Sequence, residues 1–208
     1  MNFIILGLVL IVFCFNTEYT ADNTKQFIDI LPDFIGYLML WFTLEKRRFN
    51  ARMRGLYVTV SVMSLISFLF FLGQIKVFFA NLITYDMKIF DWALDVLNYV
   101  SYHLDGILLF VAVAVLGWLL FAMLGYWEQT NQHKLQCAVC KIGMGLCGLA
   151  GVCHIASTFI LLPFSWHWIS YPLSLLAVVC AWFVMKDCQE MLTGYHEPVK
   201  EHRFGVKK

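Results

Sequence analysis

The sequence predicts an all-α fold: a polytopic helical membrane protein with about six hydrophobic segments and both termini in the cytoplasm. Two observations predict this class. Hydrophobic residues make up 61% and charged residues 14% of the 208 residues, a balance unlike that of a soluble domain. The apolar runs are also continuous, as in "LISFLFFLG", and do not alternate as the strands of a membrane barrel would.

The hydrophobic segments follow one another with little polar sequence between them. They lie at residues 2–20, 32–48, 56–80, 104–126, 141–162 and 168–186. We therefore predict one transmembrane domain over residues 1–186 and a short cytoplasmic tail over residues 187–208. The first segment has no basic stretch before it and no small-residue cleavage site, which indicates a retained anchor. Because the first two segments are short, either each spans the membrane or the two form a re-entrant pair.

Lysine and arginine residues predict the orientation, because they concentrate in the cytoplasmic loops of membrane proteins. Five of them lie between positions 46 and 54. If that loop is cytoplasmic, 12 of the 15 basic residues fall inside and eight of the 14 acidic residues fall outside. This arrangement places both termini in the cytoplasm.

The second segment begins in "ILPDFIGY", with a proline and an aspartate. Pro32 suits the start of a helix, and the positive end of the helix dipole favours Asp33 in the first turn. The apolar stretch that follows is too short to span at ~1.5 Å per residue, so the helix is expected to use flanking residues at both ends. We interpret Asp29 and Asp33 as markers of the outer membrane boundary, with a place in a water-filled cavity as the alternative.

The same stretch carries a resemblance. "DILPDFIGYLML", followed by a short basic linker and a phenylalanine, resembles a segment of a group of uncharacterised multi-pass membrane proteins of Gram-positive bacteria. In that group an LPDFIGY-type run precedes a basic loop. The resemblance covers residues 27–54 and implies a bacterial plasma membrane, without implying an activity.

Polar residues recur along one helical face before and into the fourth segment. This face comprises Asp91, Asp95, Asn98, Tyr102 and Asp105. A helix over residues 88–126 would be ~58 Å long, nearly twice the ~30 Å hydrocarbon core, so its first half is predicted in the interface or outside. We interpret the face as a solvated stripe. The alternative is an acidic vestibule, shared with Asp29 and Asp33, that concentrates cations.

The fifth segment contains Gly143, Gly145 and Gly148 in the pattern G-x-G-x-x-G. A nucleotide site is not predicted, because that fingerprint needs a preceding strand and a βαβ unit. Gly143, Cys147 and Gly151 instead recur every four residues and form a ridge of small residues that lets another helix approach closely. We predict helix packing through Gly143, Cys147, Gly148 and Gly151, within the molecule or between copies.

His154 follows on the same predicted helix and is the titratable residue placed deepest in an apolar segment. A buried histidine needs hydrogen-bond partners. The nearest hydroxyls in sequence belong to Ser157 and Thr158, and the third segment offers Ser61, Ser64 and Ser67. We interpret His154 as a neutral residue that joins two helices, with a proton relay or a ligand site as the alternative.

The sequence predicts no metal, no cofactor and no nucleic-acid partner. His133, Cys137 and Cys140 in "HKLQCAVC" form half of a zinc-like spacing, and a second ligand pair is not evident nearby. Neither H-E-x-x-H, nor G-x-S-x-G, nor a P-loop occurs, so enzymatic activity is not expected, although distant helices can assemble a site. The basic loop is short and adjacent to lipid, where anionic headgroups explain it.

These observations lead to two functional hypotheses. The favoured one is a non-enzymatic multi-pass membrane protein in an accessory, sensory or assembly role. It would work in the lipid bilayer through helix packing with a second copy or with a membrane-protein partner. The rival is a small transporter or channel that uses the acidic outer face and His154.

Overall fold

The computed structural model describes residues 2–13, 16–21, 24–29, 32–45, 51–79, 88–130, 134–159 and 167–187. These residues form six helices: α1 (Asn2–Val12), α2 (Asp33–Glu45), α3 (Ala51–Phe79), α4 (Lys88–Thr130), α5 (Lys134–Phe159) and α6 (His167–Asp187). Between α1 and α2 lies a two-stranded antiparallel hairpin, β1 (Asn16–Ala21) and β2 (Thr24–Asp29). The predicted helical class is confirmed.

Four of the described helices are long and apolar enough to cross a membrane. The candidate spans are Met53–Gln74, Leu104–Glu128, Lys134–Phe159 and Trp168–Lys186. They correspond to the third, fourth, fifth and sixth predicted segments. The shortest span has 19 residues, which cover ~28 Å at helical rise and match the hydrocarbon thickness.

The first two predicted segments form shorter helices. With 11 and 13 residues, α1 and α2 are only ~16 and ~20 Å long. The first segment, predicted over residues 2–20, is helical only as far as Val12, and residues 16–21 form β1 instead. The reason lies in "NTEYTA", where polar residues and threonines replace the apolar side chains that favoured the helix.

The short helices pack as an antiparallel pair that crosses at two glycines. A Cβ atom on Gly36 would lie 2.7 Å from the carbonyl oxygen of Gly7, and one on Gly7 would lie 2.8 Å from that of Gly36. Gly7 also faces Leu40, while Gly36 faces Ile11, so the two chains run in opposite directions. The backbones approach this closely because neither residue carries a side chain.

Helices α3 to α6 pack in chain order, each antiparallel to the next. Gly55 of α3 lies under the ring of Trp118 of α4, and Gly117 of α4 faces Cys147 of α5. The most extensive interface joins α4 and α5. Leu116 and Leu120 of α4 are completely buried, so α4 forms the centre of the core, and α1 closes the bundle by contacting α4 and α6.

The first part of α4, residues 88–103, projects beyond the candidate span of this helix. The helix is continuous over 43 residues, or ~65 Å, whereas the span begins only at Leu104. In the projecting part Trp92, Asp95 and Tyr99 are exposed. A long helix that begins outside the membrane was expected from the sequence, and the structure has this continuous helix.

Charged side chains separate to opposite ends of the bundle. Because consecutive helices are antiparallel, the starts of α3 and α5 lie at the same end as the ends of α4 and α6. Among the described side chains, this end carries Arg54, Glu128, Lys134, Lys141 and Lys186. The opposite end carries Asp33, Asp95 and Asp105. We call the first the basic end and the second the acidic end.

Candidate functional site

His154 is completely buried at the contact between α5 and α6. Its ring meets Tyr171 of α6 edge to face, with ring centroids 6.0 Å apart and an interplanar angle of 71°. Tyr171 stacks in turn on Phe13 at the end of α1, at 6.2 Å. The imidazole is therefore one member of an aromatic chain that connects three helices, and such pairs favour edge-to-face or offset geometry.

The backbone of His154 forms a second contact, with α4. Ser157 Oγ and Thr158 Oγ1 both donate to the His154 carbonyl oxygen, at 2.6 and 3.2 Å. A Cβ atom on Gly106 of α4 would lie 2.7 Å from that same oxygen. The two hydroxyls predicted as partners of the histidine thus bind its backbone carbonyl, and Gly106 lets α4 approach them. We call these residues, together with Tyr171, the His154 cluster.

The hydroxyls of α3 have other surroundings. Ser61 Oγ donates to the carbonyl oxygen of Tyr57, 2.7 Å away. Ser61 and Ser64 line a cavity of about 370 Å³ between α2 and α3, which opens to the outside of the bundle. The buried serines Ser170 and Ser174 belong instead to α6, on either side of Tyr171 in sequence.

The small-residue ridge of α5 lies against two neighbouring helices. Gly143 faces Leu120 of α4 and Cys180 of α6, where an added Cβ atom would come within 2.8 and 3.0 Å. A Cβ atom added at Gly117 of α4 would lie 3.4 Å from the Cβ atom of Cys147. Gly151 faces the ring of Phe110, at 3.0 Å.

Gly145 and Gly148 differ from the ridge because they face outward. An added Cβ atom would meet nothing within 4 Å at either position. Both residues are exposed. Gly148, which the sequence grouped with the packing residues, therefore makes no such contact with the described part of the chain.

An apolar groove runs along the outside of α4 and α5. Its volume is about 590 Å³. It is lined by Phe110, Val113, Ala114, Gly117, Trp118, Phe121, Met144, Cys147 and Gly148. We call it the α4/α5 groove. Since it opens away from the bundle within two candidate spans, it faces hydrocarbon in a membrane.

No family model, no curated protein and no solved structure matches this chain. The resemblance of residues 27–54 to membrane proteins of Gram-positive bacteria stays a prediction. The His154 cluster and the outer surfaces of α4 and α5 are the features of this structure that bear on function.

Three of the candidate acidic residues have described side chains, and all three lie at the acidic end. Asp33 begins α2 and is half-buried, and the backbone nitrogen of Ile35 donates to the Pro32 carbonyl oxygen at 2.9 Å in the same turn. Asp95 is exposed on the projecting part of α4, and Asp105 is half-buried where the span begins. The side chains of Asp29 in β2 and Asp91 in α4 lie outside the described residues.

The half-zinc spacing is only partly described. Cys137 and Cys140 lie in the first two turns of α5, and His133 lies outside the described residues. Within the described ranges, three or more His, Cys, Asp or Glu side chains do not converge into a group that could hold a metal ion.

Sequence reasoning did not single out Gly106 or Tyr171. A signal for Gly106 was available, because a glycine inside an apolar membrane helix usually marks close helix contact. The sequence contains no comparable signal for Tyr171. Helix α6 is rich in aromatic residues, and helical spacing does not indicate which of them contacts the histidine.

Proposed function

We propose that this chain is a non-enzymatic, multi-pass protein of the plasma membrane that works through helix packing with a second copy or a membrane-protein partner. An accessory, sensory or assembly role follows from that activity. The observation that carries the proposal is an exposed face of α5 with a glycine at its centre. This open α5 face comprises Ala138, Ile142, Gly145, Leu149 and Val152.

The residues of the open α5 face lie at helical spacing, and two of the five, Ala138 and Gly145, are small, whereas the described exposed positions of α3 and α6 carry no glycine or alanine. The exposed positions of α3 carry large side chains such as Val58, Val62 and Leu65, and those of α6 carry Leu176 and Trp182. Lipid tails are as apolar as these side chains, so apolarity alone does not drive helices together in a membrane. Small residues do, because they allow close packing of backbones.

The proposal includes a topology with both termini and the basic end in the cytoplasm. Segregation of the described basic and acidic side chains supports this orientation. The polar sequence of the β1–β2 hairpin supports a topology in which α1 and α2 each cross the membrane. If the two helices instead formed a re-entrant pair that entered from the cytoplasm, the hairpin between them would lie in hydrocarbon, where polar groups are unfavourable.

Association between full-length copies in liposomes tests the packing role, with energy transfer between labelled copies as the readout. We expect Gly145→Leu to reduce association at least about tenfold, the equivalent of ~1.4 kcal/mol, because the added side chain separates the helices. Gly145→Ala should stay close to wild type. Val62→Leu, which adds one methylene to the exposed face of α3, is the control.

The same variants are tested against membrane-protein partners by cross-linking in native membranes. Since nothing lies within 4 Å of the Gly145 position, the thermal stability of the monomer should not fall. Wild-type association and wild-type cross-linking of Gly145→Leu would together remove the packing role.

A small transporter or channel is the second candidate, favoured by one observation: a histidine is completely buried within a candidate span. A titratable residue at such a position is a candidate for proton or ion transfer. Ion flux into proteoliposomes tests this role. Flux that depends on His154, and is lost in His154→Gln, would favour transport over helix packing.

A further inference from the structure

The α4/α5 groove lies at bilayer depth and owes its shape to two glycines. Gly117 and Gly148 contribute no side chain to the walls, while Phe110, Trp118 and Phe121 border it. In the hydrocarbon region water does not fill an apolar groove, and an empty groove forfeits the dispersion contacts of its lining. An apolar molecule must therefore occupy it.

The shape of the groove suits one extended lipid chain. On α4 the lining extends from Phe110 to Phe121, or ~16 Å at helical rise. A helix with its side chains is ~10 Å wide. One extended alkyl chain is narrower and conforms to the irregular lining.

Two opposite charges lie beyond the basic end of the groove. On α5, Lys141 lies two helical turns from Gly148 on nearly the same face. On α4, Glu128 lies two turns from Phe121, also on nearly the same face. Lys141 Nζ and Glu128 Oε1 are 3.7 Å apart, and the side chains are 63% and 55% exposed. A weakly held ion pair of this kind can exchange its partners for those of a ligand.

We propose that the α4/α5 groove binds one acyl chain of a zwitterionic phospholipid, whose headgroup lies against Lys141 and Glu128. The phosphate pairs with the lysine ammonium, and an ethanolamine ammonium pairs with the glutamate carboxylate. The site is separate from the open α5 face, since Gly145 does not line the groove. Lipid binding in the groove can therefore be measured in variants that have lost helix association, and helix association in variants that have lost lipid binding.

Native mass spectrometry of the full chain in mild detergent tests the proposal, with phosphatidylethanolamine as the probe and diacylglycerol of the same chains as the comparison. We expect one phosphatidylethanolamine per copy, bound at least about tenfold more tightly than diacylglycerol. Gly148→Leu, which projects into open space, should lower occupancy about tenfold, and Gly145→Leu should bind as wild type does. Ala114→Leu obstructs the groove from the opposite wall and should act like Gly148→Leu.

The headgroup contact has its own variant. Lys141→Ala combined with Glu128→Ala should reduce phosphatidylethanolamine binding to the level of diacylglycerol. Equal binding of the two lipids to wild type, or full occupancy in both Gly148→Leu and Ala114→Leu, would overturn the proposal. The proposal would also be overturned if the wild type formed lipid-free dimers while Gly148→Leu and Ala114→Leu were monomers. The groove would then bind a second copy of the chain.

Discussion

Glycines have two opposite roles in this protein, and the atoms that face the missing side chain decide between them. Gly106 faces the His154 carbonyl oxygen and the Thr158 hydroxyl across the α4–α5 interface, whereas Gly145 and Gly148 face open space. The first kind lets two backbones approach within the bundle. The second kind leaves a depression on the surface that a partner or a lipid can fill.

This difference predicts opposite responses to the same substitution. Gly106→Ala should destabilise the protein by about 1–3 kcal/mol, because the new methyl group overlaps Thr158 Oγ1 and crowds the His154 carbonyl oxygen. Gly145→Ala should be neutral or stabilising by up to ~1 kcal/mol, because alanine is the better helix former. Thermal unfolding of both variants in the same detergent measures the difference, and equal melting temperatures would contradict the packing assigned to Gly106.

The candidate site was predictable from the sequence only in part. Four-residue spacing placed Gly143, Cys147 and Gly151 on one face of a helix, and in the structure that face contacts α4 and α6. Spacing specifies a direction around the helix but not what lies there. For that reason the sequence grouped Gly148 with the ridge, and the neighbours of His154 on other helices became evident only in the fold.

Among the elements, the four long helices were predictable and the segment around the hairpin was not. Sustained apolar runs produced a strong signal for α3 to α6. The first apolar run continues to Phe15 before the polar sequence of β1 begins, so composition did not indicate that the helix stops at Val12. Phe13, the residue after α1, stacks on Tyr171 of α6, a tertiary contact that the sequence alone does not reveal.

The contact between α1 and α2 yields a prediction for these two elements alone. Gly36→Ala places a methyl group 2.7 Å from both the Gly7 carbonyl oxygen and Ile11 Cγ2, so the helices must separate at a cost of about 1–3 kcal/mol. Hydrogen exchange followed by mass spectrometry should show faster exchange in α1 and α2. Amides of α5 serve as the internal control, and unchanged exchange in α1 and α2 would show that the pair does not depend on this close approach.

At the scale of the whole molecule, charge distribution and helix direction agree. Antiparallel packing of α3 to α6 brings positions far apart in sequence to the same end, where Arg54, Lys134 and Lys186 are exposed. Folding in a membrane is expected to keep such lysines and arginines on the cytoplasmic side. The acidic end then carries the projecting part of α4, where Trp92 and Tyr99 are exposed.

The proposed orientation predicts which side chains an impermeant thiol reagent reaches in intact cells. Asp95→Cys and Lys134→Cys introduce single cysteines at two exposed positions at opposite ends of the bundle, in a variant whose seven native cysteines are replaced by alanine. We expect Asp95→Cys to react from outside and Lys134→Cys to react only after permeabilisation, because the basic end is cytoplasmic. The cysteine-free parent must keep its melting temperature, since Cys140 and Cys147 are buried. The reverse labelling pattern would invert the orientation, and labelling of both positions from outside would show that the two ends do not lie on opposite sides of the membrane.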